Sequence, residues 1–196
     1  MRLCAFNPLI PHDEFNSSLP AAFFEWEIEN ITDENIRFAL ACTVCNPAAS
    51  SSNERVLEDG LSGILLKDAG LNDREIGYSD LCILTDHLDT SVQEYWYRGD
   101  WQDPVTTFWR EFSDGTIDNR HFDSPGNADT CSVGANAIVN TSADKVFRFA
   151  LSWNVPNNYN YWTPSKNENE DDILWKNYYA TLFSDSVESA LKAADG

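Results

Sequence analysis

The sequence predicts a mainly β protein, an antiparallel β-sandwich with one short inserted helix and a C-terminal amphipathic helix. Several segments alternate apolar and polar residues with the period of two that half-buried strands show, and Gly, Asn and Asp turns separate them. The chain has 196 residues, of which 42% are hydrophobic and 13% are aromatic. This length and composition suffice to bury a core between two sheets.

The clearest alternation lies in FFEWEIEN, where Phe24, Trp26 and Ile28 share one face and three glutamates share the other. The turn-forming residues NITDEN follow, and the period of two resumes between Ile36 and Val44. We therefore expect these two strands to form a β-hairpin. The pattern ends at a proline and a serine-rich loop.

Further strands are predicted at residues 63–67, 77–85 and 92–98. A second hairpin is expected from GANAIVNTS and DKVFRFALSW, around a turn at NTSAD. The last of these strands places four apolar side chains on one face, namely Phe147, Phe149, Leu151 and Trp153.

A short helix is predicted in DPVTTFWREFSDG, with Asp103 as N-cap, Pro104 at the first helical position and Gly115 just past the end. Its apolar residues recur at helical spacing, which predicts one buried stripe. The stripe consists of Val105, Phe108, Trp109 and Phe112.

A second helical region is expected from Asp172 onward. Its stripe consists of Trp175, Tyr178, Tyr179, Leu182 and Phe183, extended by Val187, Ala190 and Leu191. The polar stretch SKNENEDD precedes it and predicts the end of the β domain. We therefore divide the chain into a sandwich of residues 1–165 and a polar linker with a helical segment, residues 166–196.

The charge of the chain excludes some classes of partner. The formal net charge at pH 7 is −19, from 32 acidic and 13 basic residues. This excess of negative charge repels nucleic acid and anionic membrane surfaces. The sequence has no apolar run of membrane-spanning length and no secretion signal. We expect a cytoplasmic location, with peripheral membrane association at most in the full-length protein.

The cysteines predict neither a disulfide framework nor a metal centre. Five cysteines at irregular spacing do not form the even, regular pattern of a disulfide-rich domain. Cys42 and Cys45 belong to a strand pattern, in which positions three apart point to opposite faces. Two such sulfurs cannot easily hold one ion, so buried or half-buried thiols are expected.

The sequence holds no local motif for catalysis. It lacks HExxH, GxSxG and the glycine-rich phosphate loops, and the loop aspartates lack calcium-binding spacing. A pair of carboxylates for glycoside hydrolysis cannot be picked from 32 acidic residues by spacing alone. We therefore predict no catalytic residue, no metal and no cofactor for this chain.

Three longer segments resemble the N-terminal region of glycoside hydrolase family 116, which includes non-lysosomal glucosylceramidase, or bile-acid β-glucosidase. They are FNPLIPHDEFNSSLPAAFFEWEIENITDENIRFAL, DPVTTFWREFSDGTIDN and VFRFALSWNVPN, followed by WKNYYATLF. They lie in the family's order, from Phe6 to Phe183. The family's upstream Gly-rich and Arg/Trp-containing segments are not found, so some early strands are expected to be missing.

The resemblance implies a β-sandwich that packs against a separate α-helical barrel. In the family the barrel carries the two catalytic carboxylates of a retaining mechanism, and no residue of this chain matches a catalytic position. The implied function is a non-catalytic N-terminal domain that supports the barrel of an enzyme acting on β-glucosides or glucosyl lipids. A sandwich with missing strands exposes edges, so pairing into a homodimer is also expected.

Two other functions stay open on the sequence. The first is a free-standing carbohydrate-binding module, whose stacking platform would be Trp96, Trp101, Tyr159, Tyr161 and Trp162. The second is a small complete hydrolase with its own acid pair. We favour the supporting domain. The candidates for a substrate rim or for the interface with the catalytic domain are Trp101, Asn157, Tyr159, Tyr161, Trp162 and Trp175.

Overall fold

The protein is described by a computed structural model that covers residues 1–160, 162 and 165–194. In these residues the α-helices are α1 (Glu14–Ser17), α2 (Asp103–Phe112) and α3 (Ser186–Ala194), with a 3-10 helix at Tyr178–Thr181. The strands are β1 (Arg2–Phe6), β2 (Ala21–Glu29), β3 (Ile36–Cys45), β4 (Ser51–Glu58), β5 (Leu61–Asp68), β6 (Asp80–Thr85), β7 (Thr90–Gln93), β8 (Thr130–Val139), β9 (Asp144–Asn154), β10 (Asn157–Tyr159) and β11 (Leu174–Lys176).

Two antiparallel sheets form the body of the protein. The larger sheet has the strand order β1-β2-β9-β6-β5-β4, and the smaller sheet has the order β3-β8-β7. β10 and β11 form a separate two-stranded ribbon. This arrangement confirms the predicted mainly β fold with antiparallel sheets, a short helix and a C-terminal helix. No helix among the described residues is long and apolar enough to cross a membrane.

The main core lies between the two sheets. Phe147 and Phe149 of β9 are buried in it, together with Ile28 of β2, as the alternation of these strands predicts. The smaller sheet contributes Val133 and Ala135 of β8, neither of which is exposed to solvent. These strands therefore turn their apolar faces toward the opposite sheet, and burial of these side chains from water drives the two sheets together.

Both predicted hairpins are wrong. β2 pairs with β1 and β9 in the larger sheet, whereas β3 pairs with β8 in the smaller one. The chain thus crosses from one sheet to the other between β2 and β3, and again between β8 and β9. The alternation could not distinguish these connections, because a strand shows the same period of two whether the next strand lies beside it or opposite it.

A buried asparagine ties the two crossing connections together. Asn30 is 1% exposed, and its side-chain amide donates hydrogen bonds to the carbonyls of Glu34 (2.8 Å) and Val139 (2.9 Å). Its backbone N–H donates to the carbonyl of Ala143, and its side-chain oxygen accepts from Thr32. Asn30 therefore joins the start of one connection to both ends of the other, and its own buried amide is fully hydrogen-bonded.

The outer face of the larger sheet is covered by α3. Val187 and Ala190 of the helix pack against Cys82 and Leu84 of β6. A buried carboxylate holds the first residue of the helix: the N–H of Ser186 donates to Asp80 at 2.7 Å. β6 and β9 are consequently covered on both faces.

The helical region expected from Asp172 is wrong in its first half. Residues 174–176 are extended as β11, a 3-10 helix follows, and the α-helix begins only at Ser186. The helical spacing of the apolar residues led to the wrong prediction here. The segment pairs with β10, and residue periodicity carries no information about that pairing. The inserted helix, by contrast, is present at Asp103–Phe112, with Gly115 at a φ of 75° beyond its end. The predicted N-cap is wrong, since Gln102 holds that position and Asp103 is the first helical residue.

The five cysteines are free thiols. Cys42 lies against the core and Cys45 is exposed, as their opposite positions in β3 predict. The expectation of buried or half-buried thiols is therefore wrong for Cys45, and also for Cys4, which lies on the exposed edge strand β1. Burial raises the pKa of the Cys42 thiol to about 11 and that of Cys131 to about 12. Burial also raises the pKa of Cys82. These three thiols stay protonated and unreactive at neutral pH.

The Asn30 bonds predict a large effect of the Asn30→Ala substitution. We expect the free energy of unfolding to fall by about 1–3 kcal/mol, because the buried Val139 carbonyl loses the Asn30 amide, whereas the Glu34 carbonyl keeps the Thr32 hydroxyl as donor. Urea denaturation followed by tryptophan fluorescence measures the change. The matched control is Asn140→Ala in the second connection, where the side chain is exposed. Equal stability of the two variants would contradict the role given to Asn30.

The different exposure of the thiols predicts that they react with Ellman's reagent at pH 8 at two distinct rates. The exposed Cys4 and Cys45 should react fast, and the other thiols should react only as the protein unfolds. Cys45→Ser should remove one fast thiol without changing the slow class. Fast labelling of Cys82 in the native protein, located by peptide mass spectrometry, would show that α3 does not cover β6 in solution.

Candidate functional site

Most of the predicted site residues lie on or beside the ribbon of β10 and β11. The ribbon follows β9 directly, and its register pairs Asn157 with Lys176, Asn158 with Trp175 and Tyr159 with Leu174. The N–H of Asn177 donates to the carbonyl of Pro156, which continues the pairing at the base. The ribbon is therefore an extension of the larger sheet's central strand.

The base of the ribbon is braced against the body of the protein. The Tyr179 hydroxyl donates to the carbonyl of Val155 at 2.9 Å and accepts from its N–H at 3.2 Å. The side-chain amide of Asn177 donates to the same carbonyl at 2.7 Å. The Tyr179 ring packs with the apolar cluster of Leu19 and Phe183. This brace fixes the direction in which the ribbon leaves the sandwich.

Asn157 has an anchoring role. It is 6% exposed, and its side-chain amide donates to the carbonyls of Asp73 (2.9 Å) and Glu75 (2.8 Å). Nearby, burial is the main cause that raises the pKa of Tyr78 to about 12, and the Asp80 carboxylate adds to it. The phenol therefore stays neutral, and Asn157 holds the loop between β5 and β6 against the ribbon.

Apolar side chains of the ribbon and its flanks are exposed. We call this set the ribbon surface, and it consists of Tyr159, Trp162, Ile173, Leu174, Trp175 and Tyr178. Trp175 is 58% exposed and Trp162 is 80% exposed. Tyr159 and Leu174 are register partners and share one face, whereas Trp175 follows Leu174 and points to the other face. Both faces of the ribbon are therefore available for contact.

Tyr161 lies outside the described residues. Tyr178 was expected on a buried helical stripe, and it is instead 51% exposed. Its exposure could not be inferred, because the sequence pattern assigned it to the wrong kind of element. Tyr178 is the first residue of the 3-10 helix that follows β11.

Trp101 belongs to a different part of the surface. It precedes α2, has a φ of 50° and is 95% exposed. α2 adjoins the smaller sheet through Phe108, whose ring stacks on Trp96 with 4.4 Å between centroids. The indole N–H of Trp96 donates to Ser132 of β8. Trp101 is thus tied to the smaller sheet, whereas the ribbon continues the larger one.

The apolar stripe predicted on α2 is only partly buried. Phe108 is 6% exposed, but Trp109 is 60% and Val105 is 47% exposed. The helix packs through Phe108, and Trp109 turns to solvent. Trp96 is half-buried, and one face of its ring is covered by Phe108. That face is therefore not available to stack on a sugar, as the carbohydrate-binding alternative would require.

The ribbon surface is flanked by acidic residues. Glu168, Glu170 and Asp171 are exposed in the turn before β11, and Asp172 forms an ion pair with Lys166 at 2.5 Å. The local charge is negative, as it is over the whole chain. Among residues 1–160, 162 and 165–194, no cluster of three His, Cys, Asp or Glu side chains could hold a metal ion.

These features define a β-sandwich domain with a braced aromatic ribbon at one end. Residues 1–195 match the family described as beta-glucosidase 2, glycosyl-hydrolase family 116 N-term. The chain therefore belongs to the N-terminal domains of glycoside hydrolase family 116, which confirms the resemblance of its segments. No curated protein matches the chain.

The two bonds of Asn157 predict that Asn157→Ala loosens the loop between β5 and β6. We expect a loss of about 1–2 kcal/mol in the free energy of unfolding, because the Asp73 carbonyl loses the Asn157 amide and the Glu75 carbonyl keeps only the Tyr78 N–H of its two donors among the described residues. Amide hydrogen exchange should quicken in residues 72–78. Asn158→Ala is the control, since that exposed side chain bonds, within the described part of the chain, only the neighbouring Tyr159 N–H. Unchanged exchange in Asn157→Ala would contradict the anchoring role.

Proposed function

We propose that this chain is the non-catalytic N-terminal β-sandwich domain of a retaining β-glucosidase and supports its α-helical catalytic domain through the ribbon surface. The observation that carries the proposal is the exposure of aromatic side chains on a ribbon whose base is held by Tyr179 and Asn177. Membership in a family of glycoside hydrolase N-terminal domains supports the enzyme class. The division at residue 165 stays a prediction.

The composition of the ribbon surface suits an interface between domains. Interfaces are enriched in Trp and Tyr, which bury large areas at little cost in conformational entropy. Trp175 and Trp162 supply such side chains, and Leu174 adds an aliphatic contact. The neighbouring acidic turn at residues 168–172 favours a basic patch on the catalytic domain, because complementary charge orients two surfaces before they dock.

The chemistry then takes place on the catalytic domain. One carboxylate there protonates the glycosidic oxygen, and a second forms a covalent glucosyl ester that water hydrolyses. This chain holds the catalytic domain in place and shapes the rim of its site. The substrates are β-glucosides, including glucosyl lipids. The exposed free thiols Cys4 and Cys45 favour the reducing cytoplasm as its location.

A carbohydrate-binding module is the second candidate, and the 95% exposure of Trp101 favours it. This residue projects from a body to which α2 is fixed by stacking on Trp96. Binding of a soluble β-glucan to the isolated chain, lost in Trp101→Ala and retained in Trp175→Ala, would support the module over the docking domain.

We also propose that the isolated chain pairs with a second copy through β1. This strand is at the edge of the larger sheet, and all five of its residues are exposed. An uncovered edge offers backbone groups to another strand. Light scattering at increasing concentration should show a rising mass at high salt, where the repulsion between chains of charge −19 is screened.

The docking role is tested by Trp175→Ser in the enzyme that carries its catalytic domain. Loss of a central interface tryptophan should weaken docking by about 2–4 kcal/mol, lower the thermal midpoint and reduce hydrolysis of an aryl β-glucoside. The control is Leu57→Ser on β4, which is 74% exposed and far from the ribbon in the sheet order.

Two results would contradict this function. The first is equal activity and thermal stability of the Trp175→Ser and Leu57→Ser enzymes. The second is turnover of the aryl β-glucoside by the purified 196-residue chain alone, which would show a complete hydrolase with its own acid pair.

A further inference from the structure

A cavity of about 570 Å³ lies on the outer face of the larger sheet, beside the C-terminal end of α3. Its walls come from the segment after β1, from α1 and from the last residues of α3. The volume falls within the range of pockets that enclose small organic ligands. Neither the ribbon surface nor the Trp101 region contributes to it.

The floor of the cavity is one apolar row across three strands. Phe23 of β2 is the register partner of Ala150 of β9, and Ala150 is the partner of Leu84 of β6. Phe6 extends the row, because its ring stacks on Phe23 with 5.2 Å between centroids and 20° between planes. Phe6 is 46% exposed. The two phenylalanine rings therefore offer an aromatic surface to an apolar ligand, whereas Leu84 and Ala150 are 1% and 9% exposed and only back it.

The next row of the sheet is charged. Arg148 of β9 donates from Nε to Glu25 at 2.9 Å and from Nη1 to Asp86 at 3.3 Å. These bonds, chiefly the one to Glu25, raise the pKa of the guanidinium. The second oxygen of each carboxylate accepts no hydrogen bond within the part of the chain that the structure describes. Two acceptors thus stand free at the edge of the apolar floor.

The charges around the cavity balance. Arg148 and Lys192 supply two positive charges, and Glu25 and Asp86 supply two negative ones. The lining itself therefore favours neither a cation nor an anion, and the negative field of a chain of charge −19 opposes an anion further. A ligand with a neutral head group that carries several hydroxyls fits the charged edge of the cavity. Its hydroxyls donate to the carboxylate oxygens, and it brings no charge that would need a counterion.

We propose that this cavity binds a β-glucoside with an apolar aglycone. The aglycone lies on Phe6 and Phe23, and the sugar hydroxyls donate to Glu25 and Asp86. The sugar class rests on the proposed function, since the family is described by a β-glucosidase. The site binds without bond cleavage and gives the domain a direct contact with the enzyme's amphipathic substrates.

The probe is octyl β-D-glucopyranoside, titrated into the 196-residue chain by calorimetry below its micelle-forming concentration. Glucose, which lacks the apolar part, should bind at least about tenfold more weakly, because the floor contact is absent. Sodium octyl sulfate has the same alkyl chain and an anionic head, and it should also bind more weakly. Absence of octyl glucoside binding, or equal binding of octyl sulfate, would overturn the proposal.

Variants locate the binding. Phe6→Ala should weaken octyl glucoside about tenfold, because half of the aromatic floor is lost. Ile138→Ala is the control, since that residue is 63% exposed on β8 of the other sheet. Asp86→Ala leaves the floor intact and should weaken octyl glucoside while it strengthens octyl sulfate.

Equal effects of Phe6→Ala and Ile138→Ala would place the binding elsewhere and refute the assignment, as would a shift of both ligands in the same direction in Asp86→Ala. If Phe6→Ala unfolds, as judged by circular dichroism, Asp86→Ala decides alone, because Asp86 is exposed. Docking of the catalytic domain is measured separately with Trp175→Ser, so the two proposals fail independently.

Discussion

The double burial of β9 is the constraint on which the rest of the protein depends. This strand pairs with β2 on one side and with β6 on the other, so its backbone donors and acceptors are used within the sheet. Phe147 and Phe149 fill the core on one face, while Ala150 and Ser152 on the other face lie under α3. Small residues on the second face are what allow a helix to approach the sheet.

Both candidate sites extend from the ends of that strand. At its C-terminal end, Asn154 donates to the buried Asp80 at 2.8 Å, and Asp80 accepts from the first residue of α3. The chain then passes into the braced ribbon. Nearer its N-terminal end, Arg148 organises the charged edge of the cavity where α3 stops covering the sheet. The same strand that holds the core therefore positions both surfaces that stay exposed.

The alternation in the sequence predicted the strands and the sandwich, because burial of one face imposes a period of two. It could not predict how the strands connect, since the Asn30 bonds that join the two crossing connections link residues 109 apart in the chain. The helical spacing around Trp175 gave a wrong prediction for a related reason. Pairing of Trp175 with Asn158 across the ribbon overrides the local helix propensity. The sequence identified Asn157 as a site candidate but not its anchoring role. That role depends on hydrogen bonds to a loop distant in the sequence, which the residues around Asn157 do not reveal.

The central claim is that the ribbon surface docks the catalytic domain. The most direct measurement is amide hydrogen exchange of this chain, alone and mixed with the separately produced catalytic domain of the same enzyme. We predict slower exchange concentrated in β10, β11 and the 3-10 helix, with Asn30 and the smaller sheet unchanged. Unaltered exchange in the ribbon, with protection at another surface, would contradict the account.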